Sequence, residues 1–289
     1  MRLFLFSTVS LLLAACAGGS SRGASPADSA HLDAMSREHA NHTPAPNASV
    51  QEPRQPVTGE EVTYGTVAGK PARGYYARPA SARPGERLPA ILMVHEWWGL
   101  NDNVRMMARR WAGEGYQVLA VDMYGGRAAA NPEEAREYMG EVMENRQIGV
   151  DHMMAAASYV KTQRNAARVG VLGWCFGGAW ALQTALFEPE NIDAAVMYYG
   201  QPVTDRARLA RLDAPLLGLF GAEDRGIPAD SVRAMEAALR GLGKDVTIQI
   251  YPGAYHAFAN PSGEAYDEAA ATDAWNRATA FLARHLKGG

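Results

Sequence analysis

Cysteine is scarce in this sequence, with only Cys16 and Cys175 among 289 residues, and the context of each accounts for it without a disulfide. An excess of charge is also absent, because 28 Lys and Arg residues stand against 31 Asp and Glu for a formal net charge of -3. A mixed, nearly neutral chain lacks the electrostatic footprint that nucleic acid requires, so we expect no nucleic-acid partner. What remains, 47% hydrophobic and 20% charged residues, is typical of a globular domain that holds its core without disulfides or metal.

The first sixteen residues are predicted to be an export signal. Arg2 is followed by an apolar run over residues 3–13, too short to span a bilayer, and then by Ala14-Ala15-Cys16. Small residues before a cysteine at this place resemble the lipobox of bacterial lipoproteins, which implies that Cys16 carries lipid as the first residue of the mature chain. We therefore expect export and a lipid anchor in the bacterial cell envelope, at the periplasmic face of the outer membrane. The alternative is a plain signal peptide that contains a cysteine.

Residues 17–58 are rich in Ala, Ser, Pro, Asn and Gly and show no sustained hydrophobic period. A segment of this composition does not bury enough apolar surface to fold alone. We therefore predict a flexible tether between the anchor and a single folded domain at 59–289. His31, His39 and His42 fall in this tether without metal-site spacing, and we expect them to be solvated.

Beyond the tether, short apolar runs alternate with helical segments, the pattern of a mostly parallel sheet with helices on both faces. Near-continuous apolar runs are typical of strands buried on both sides, and they lie at 91–94, 118–121, 169–172, 195–198, 216–220 and 247–250. Residues 61–78 are predicted to form an antiparallel hairpin at the sheet edge. Helical spacing is found at 104–111, at 133–159 as one long or broken helix, at 231–239 and at 269–286.

The most informative motif is Gly173-Trp174-Cys175-Phe176-Gly177, which follows one of these strands and opens a helix. This is the pattern of a nucleophile elbow, whose tight strand-to-helix turn needs small residues two before and two after the nucleophile. The helix N-terminus beneath Cys175 favours a negatively charged sulfur. We therefore predict an α/β-hydrolase fold with Cys175 as nucleophile. A buried structural cysteine in a glycine-rich turn is the alternative.

An elbow of this kind needs an acid and a histidine, which α/β-hydrolases supply later in the chain in that order. Asp224 follows the strand at 216–220 and His256 follows the strand at 247–250, both at carboxyl ends of strands, where ligand sites of such sheets lie. We predict that His256 activates Cys175 and that Asp224 orients the histidine. Glu223 is the nearest rival for the acid.

The strand at 91–94 leads directly into His95-Glu96-Trp97, the place of an oxyanion hole in this fold. The backbone N–H groups of Trp97 and Phe176 are predicted to stabilise the developing oxyanion. Glu96 is unexpected beside such a site. From the residues alone it is either functional or a surface glutamate at a strand end.

From about residue 60 to the C-terminus, the chain resembles the dienelactone hydrolases, also called carboxymethylenebutenolidases. The resemblance is carried by His95-Glu96-Trp97-Trp98-Gly99, Asp122-Met123-Tyr124, Gly173-Trp174-Cys175-Phe176-Gly177-Gly178, Tyr198-Tyr199-Gly200, Gly221-Ala222-Glu223-Asp224 and His256-Ala257-Phe258. It implies a thioester intermediate on Cys175, no cofactor and no metal. It also implies a role for Glu96, because the corresponding glutamate of the family interacts with the cysteine and helps to generate the thiolate.

The sequence departs from the family at the expected substrate site. Well-studied dienelactone enzymes hold a substrate carboxylate with arginines, and one of these lies four residues after the catalytic histidine, where this chain has Asn260. Arg136 matches the other arginine in a loose alignment. We predict Arg136, Tyr138, Phe258 and Asn260 as substrate-binding residues for a small-molecule ester or lactone. We expect the protein to be a monomer.

Three other readings remain open at this point. The same residues would serve a thioesterase or a peptidase-like enzyme. A membrane-tethered binding or interaction protein would keep the fold with an idle site. An exposed, reactive Cys175 outside the cytoplasm would also allow a redox role, although Cys16 is the only other cysteine.

Overall fold

The computed structural model describes residues 26–40, 44 and 51–288, and its centre is a sheet of eight strands. The strands are β1 (Val57–Val67), β2 (Lys70–Pro79), β3 (Ala90–Val94), β4 (Gln117–Val121), β5 (Val169–Trp174), β6 (Ala194–Tyr198), β7 (Leu216–Gly221) and β8 (Val246–Tyr251). All six predicted strands and the edge hairpin are present, but β8, predicted to be buried on both faces, is the outermost strand of the sheet and is only partly buried. Strand β1 begins at Val57, two residues before the predicted start of the folded domain.

The strands lie in the order β1-β2-β4-β3-β5-β6-β7-β8. The β1–β2 and β2–β4 pairs are antiparallel, and every pair from β4 to β8 is parallel. Every residue of β3, β4, β5, β6 and β7 is buried, as expected for parallel strands covered on both faces. The predicted α/β-hydrolase sheet is confirmed.

Helices connect the parallel strands and cover the sheet. They are α1 (Pro26–Glu38), α2 (Asp102–Gly113), α3 (Pro132–Glu144), α4 (Arg146–Thr162), α5 (Phe176–Phe187), α6 (Arg206–Leu209), α7 (Ala229–Arg240) and α8 (Glu268–Leu282), followed by a π-helical turn at Ala283–Lys287. The segment predicted as one long or broken helix is broken at Asn145, between α3 and α4. No helix in the described ranges has the length and apolar character needed to cross a membrane.

Two helix pairs are joined by large aromatic side chains. Trp111 of α2 packs on Trp275 of α8 with ring centroids 4.3 Å apart. Trp180 of α5 lies over Gly149 of α4, where a Cβ atom would come within 2.2 Å of the indole ring. Only glycine allows α4 and α5 to approach so closely, and this contact holds α5, the helix of the predicted elbow, against its neighbour.

Helix α1 lies inside the segment predicted to be an unstructured tether, so that prediction is wrong for residues 26–38. The helix buries Leu32 and Met35, and His39 just after it is only 3% exposed, not solvated as expected. The spacing of these three residues places them on one face, and that face packs against the folded domain. His42, the side chain of His31, and the predicted signal peptide with Cys16 lie outside the described residues.

Candidate active site

Four predicted site residues and Tyr199, which was not predicted, follow five different strands and meet at one edge of the sheet. Glu96 lies just after β3, Cys175 after β5, Tyr199 after β6, Asp224 after β7 and His256 in the loop after β8. Because these strands are parallel neighbours, their carboxyl ends open on the same side. The sheet therefore assembles residues that are up to 160 positions apart along the chain, counting from 96 to 256.

Cys175 occupies a strained turn between β5 and α5. Its backbone angles, φ 55° and ψ -117°, are rare for a residue with a side chain. The turn is tight because Gly177 packs on the end of β3, where a Cβ atom would lie 2.2 Å from the Val94 carbonyl oxygen. The Cys175 N–H donates to the Tyr198 carbonyl at 3.0 Å, which fixes the turn to the next strand. This geometry is that of the predicted elbow, and it holds the sulfur at the N-terminus of α5.

His256 and Asp224 form a buried pair, with 2.6 Å between Nδ1 and Oδ2. The other oxygen of Asp224, Oδ1, accepts the N–H groups of Gly226 at 2.9 Å and Ile227 at 2.8 Å. Three donors thus hold the carboxylate in one orientation, and Asp224 in turn fixes the imidazole. Glu223, the rival for this place, is exposed.

Burial of His256 on its own lowers the pKa of the imidazole, but the charges of Asp224 and Cys175 and the hydrogen bond with Asp224 outweigh it and raise that pKa well above its ordinary value. The Nε2 atom is buried and makes no hydrogen bond of ordinary geometry to a described residue. The His256 ring is nevertheless close enough to Cys175 for that residue to raise the pKa of the imidazole. Hydrogen bonds of this kind are often long before substrate binds. The arrangement supports a charged imidazole beside the Cys175 sulfur.

His95 ties two strand ends together as a neutral ring. Its Nε2 atom accepts the N–H of Met123 at 3.2 Å, so the proton lies on Nδ1, which donates to the Glu96 carbonyl. Burial lowers the pKa of His95, which agrees with a neutral ring. This bond sets the backbone turn that carries Glu96 and Trp97.

The two N–H groups predicted to form an oxyanion hole flank the elbow. Phe176 is the first residue of α5, where an N–H has no partner within the helix. Trp97 lies in the turn after β3. Within the described part of the chain, neither N–H donates to another backbone or side-chain group, so both are free to bind a developing negative charge.

Glu96 is 8% exposed, which excludes the reading of a surface glutamate. Burial raises its pKa to about 7, against the lowering effects of the charge on His256 and of hydrogen bonds from Tyr199 and Asn260. Tyr199 donates its hydroxyl to Oε1 at 3.2 Å, and the Asn260 amide donates to Oε2. A carboxyl group with this pKa exchanges its proton near neutral pH.

The four predicted substrate-binding residues are dispersed. Asn260 is in the site through Glu96, whereas Arg136 on α3 pairs with Asp33 of α1 at 2.7 Å. Tyr138 is half-buried and carries the Arg127 guanidinium 4.1 Å above its ring. Phe258 is fully buried in the core, so a substrate contact for it stays a prediction.

Sequence reasoning missed two sets of residues at this site. Tyr199, which orients Glu96, was visible only as part of a family motif. The other set belongs to α1 and the residue after it: Met35, Glu38 and His39 all lie against the site. Their one sequence signal is the i, i+3, i+7 spacing of Leu32, Met35 and His39. Desolvation raises the pKa of Glu38, with further effects of His256, Asp224 and backbone N–H groups.

Two openings flank the elbow. One is lined by Glu96, Trp98, Trp174 and Asn260 among others. The other is lined by Phe176 and Trp180 among others. Among the described residues there is no group of three or more His, Cys, Asp or Glu side chains that would hold a metal ion.

Comparison with known proteins bears on the whole folded domain. The profile of the dienelactone hydrolase family matches residues 72–286. Protein usf of Aquifex pyrophilus is 34% identical over 225 residues, 75% of this chain and 95% of that one. A protein of Aquifex aeolicus, provisionally named carboxymethylenebutenolidase, is 33% identical over 226 residues, 76% of this chain and 96% of that one. A crystal structure from Klebsiella pneumoniae, provisionally named a dienelactone hydrolase, has a TM-score of 0.71 at 29% identity and covers 80% of this chain and all of that one.

The fold and the relatives together define a hydrolase of the α/β class. The chain belongs to the dienelactone hydrolase family.

Proposed function

We propose that this enzyme cleaves an ester or lactone through Cys175, His256 and Asp224, with a thioester intermediate on the cysteine. The observation that carries the proposal is the buried His256–Asp224 hydrogen bond of 2.6 Å beside a cysteine at a strained elbow. A structural cysteine needs neither the strained backbone nor a charged imidazole close by.

In the first half of the reaction, the Cys175 sulfur attacks the carbonyl carbon of the substrate. The carbonyl π electrons move to oxygen, and the N–H groups of Trp97 and Phe176 stabilise that oxyanion, each worth about 100- to 1,000-fold in rate in comparable sites. When the intermediate collapses, the C–O bond of the ester breaks. His256 then gives its Nε2 proton to the leaving alkoxide, which departs as an alcohol or, from a lactone, stays attached as a hydroxyl group.

In the second half, water hydrolyses the thioester. His256, now neutral, takes a proton from the water as it attacks the acyl carbon, and the same two N–H groups stabilise the second oxyanion. The C–S bond breaks and the acid product leaves. The protonated His256 then forms an ion pair with the Cys175 thiolate again. Asp224 keeps its charge throughout, held by the Gly226 and Ile227 N–H groups.

Glu96 is proposed to set the charge of the site, as its family counterpart does. In this structure it bonds to Tyr199 and Asn260, not to Cys175. With a pKa of about 7 it takes up or gives up a proton as neighbouring charges change. A substrate that alters the Asn260 contact would therefore alter the charge next to His256.

The test is hydrolysis of a short-chain p-nitrophenyl ester and of a dienelactone by the reduced full-length protein. Cys175→Ala is expected to reduce turnover by at least about 1,000-fold. Cys175→Ser is the matched variant, because it keeps the size and one donor but has a weaker nucleophile at neutral pH. Trapping of an acyl group on the wild type alone, seen as a mass increase, would support the thioester. Equal turnover above the uncatalysed rate in wild type and Cys175→Ala would refute the proposed nucleophile, and no turnover in either protein would leave the idle-site reading.

We also propose that the enzyme works outside the cytoplasm as a monomer on a lipid anchor at Cys16. The support is the sequence alone, since residues 1–25 lie outside the described part of the chain. Detergent phase partitioning of cells that express the wild type and Cys16→Ala tests it. The wild type is expected in the detergent phase and the variant in the aqueous phase, and identical partitioning would contradict lipidation.

A further inference from the structure

Helix α1 lies directly over Cys175. Met35 is completely buried, and its Sδ atom lies 4.0 Å from the Cys175 sulfur. An ester carbonyl carbon must come within about 3 to 3.5 Å of that sulfur to react. The Met35 side chain fills part of the same space, so helix and substrate exclude each other there.

His39, the residue after the helix, lies against two further residues of the site. The ring of His39 lies 5.2 Å from that of Trp97 and 5.3 Å from that of His256. His39 therefore lies beside the side chain of Trp97 and beside the predicted base. An opening beside α1 is lined by Glu38, Arg225 and His256 among others, but Cys175 is not among its lining residues.

Besides the buried Leu32 and Met35, polar contacts hold α1 in place. Glu38 accepts the N–H of Gly226 at 3.0 Å, in the turn that also binds Asp224. Asp33 pairs with Arg136 at 2.7 Å, where both side chains are nearly half-exposed and the pair is correspondingly weak. A thirteen-residue helix is marginal in water without tertiary contacts, so α1 unfolds readily once it leaves this surface.

We propose that α1 is an autoinhibitory cover: in the closed state Met35 occupies the space in which a substrate would meet Cys175, and the enzyme turns over only after the helix has moved. The acyl chain of the substrate then takes the place of the flexible Met35 side chain. The requirement that α1 moves before turnover rests on the proposed function. The proposal that α1 blocks access to the Cys175 thiol does not.

The test measures how fast a small neutral electrophile, iodoacetamide, labels Cys175 in the full-length chain carrying Cys16→Ser, so that one thiol remains. Met35→Asp places a charge in the buried contact and is expected to accelerate labelling at least tenfold. Ser29→Asp adds the same charge to an exposed position of the same helix and is the matched control, with a change of less than twofold.

A second variant opens the cover from the domain side. A Cβ atom at Gly226 would lie 1.9 Å from the Met35 terminal methyl and 3.2 Å from the Glu38 carboxylate, so Gly226→Ala moves the end of the Met35 side chain from its place without changing the sequence of α1. It too is expected to accelerate labelling. Cooperative thermal unfolding, followed by circular dichroism, shows whether each variant keeps the folded domain.

The outcomes separate the two proposals. Faster labelling in both folded variants, together with faster ester hydrolysis in Met35→Asp, supports the cover and the proposed function. Faster labelling with no hydrolysis of any ester keeps the cover and counts against the function. Labelling at the parent rate in folded Met35→Asp and Gly226→Ala overturns the cover, whatever the hydrolysis assay gives.

Discussion

Glu96→Gln is expected to remove a decrease in the free energy of unfolding that the wild type shows as the pH rises from about 4.5 to about 7. The carboxyl group titrates at about 4.5 when unfolded and at about 7 in the folded protein. Between these values the folded state holds a proton that the unfolded state has lost, so the free energy of unfolding falls as pH rises. The stabilisation that the protonated Glu96 gives to the folded state is fully present below about pH 4.5 and is lost as the pH rises above about 7.

The magnitude follows from the size of the shift. A pKa change from 4.5 to about 7 corresponds to about 3 kcal/mol, at about 1.36 kcal/mol for each unit. Glutamine keeps an acceptor for Asn260 and does not titrate. The free energy of unfolding of Glu96→Gln, minus that of the wild type, is therefore expected to rise by about 3 kcal/mol between pH 4 and pH 8.

Urea denaturation of both proteins across this range, followed by tryptophan fluorescence, gives the difference directly, and titrating groups that do not interact with Glu96 cancel in the subtraction. Glu137→Gln, at an exposed position of α3, is the control and should stay within about 0.5 kcal/mol of the wild type. A Glu96→Gln difference that is flat with pH would refute the argument, because it would mean that burial does not shift the titration of this carboxyl group.

Two further substitutions test the geometry around Cys175. Gly177→Ala brings a Cβ atom to 2.2 Å from the Val94 carbonyl oxygen and 2.6 Å from that of His95. We expect the free energy of unfolding to fall by about 1 to 3 kcal/mol, or the variant not to fold. A urea midpoint equal to that of the wild type would contradict the close approach. Asp224→Asn removes a negative charge beside His256, so the pKa of His256 should fall and ester hydrolysis should slow by about 10,000-fold, as in comparable triads. Unchanged hydrolysis over the full pH range would exclude Asp224 from the mechanism.

The sheet and the catalytic candidates could be predicted because their signals are local. Strands buried on both faces have continuous apolar sequences, and the elbow carries its glycines next to the nucleophile. The order of Cys175, Asp224 and His256 then placed each residue at a strand end. Parallel topology brings such ends together without any further information.

The cover by α1 could not be predicted in the same way. The helix has few apolar residues, and its burial depends on a surface made by distant parts of the chain, such as Gly226. Composition therefore favoured a tether. The same holds for Arg136, whose partner Asp33 lies about a hundred positions away in a segment that was expected to be unstructured.

His95 limits how the family motif can vary. Its ring must donate at one nitrogen and accept at the other in fixed directions, toward the Glu96 carbonyl and the Met123 N–H. A lysine offers no acceptor, a carboxylate offers no donor, and a phenylalanine of similar size offers neither. In a space with no exposure to water, each of these would leave a backbone group without a partner. Position 95 therefore requires a side chain that both donates and accepts a hydrogen bond in these two directions, although that side chain takes no part in the proposed chemistry.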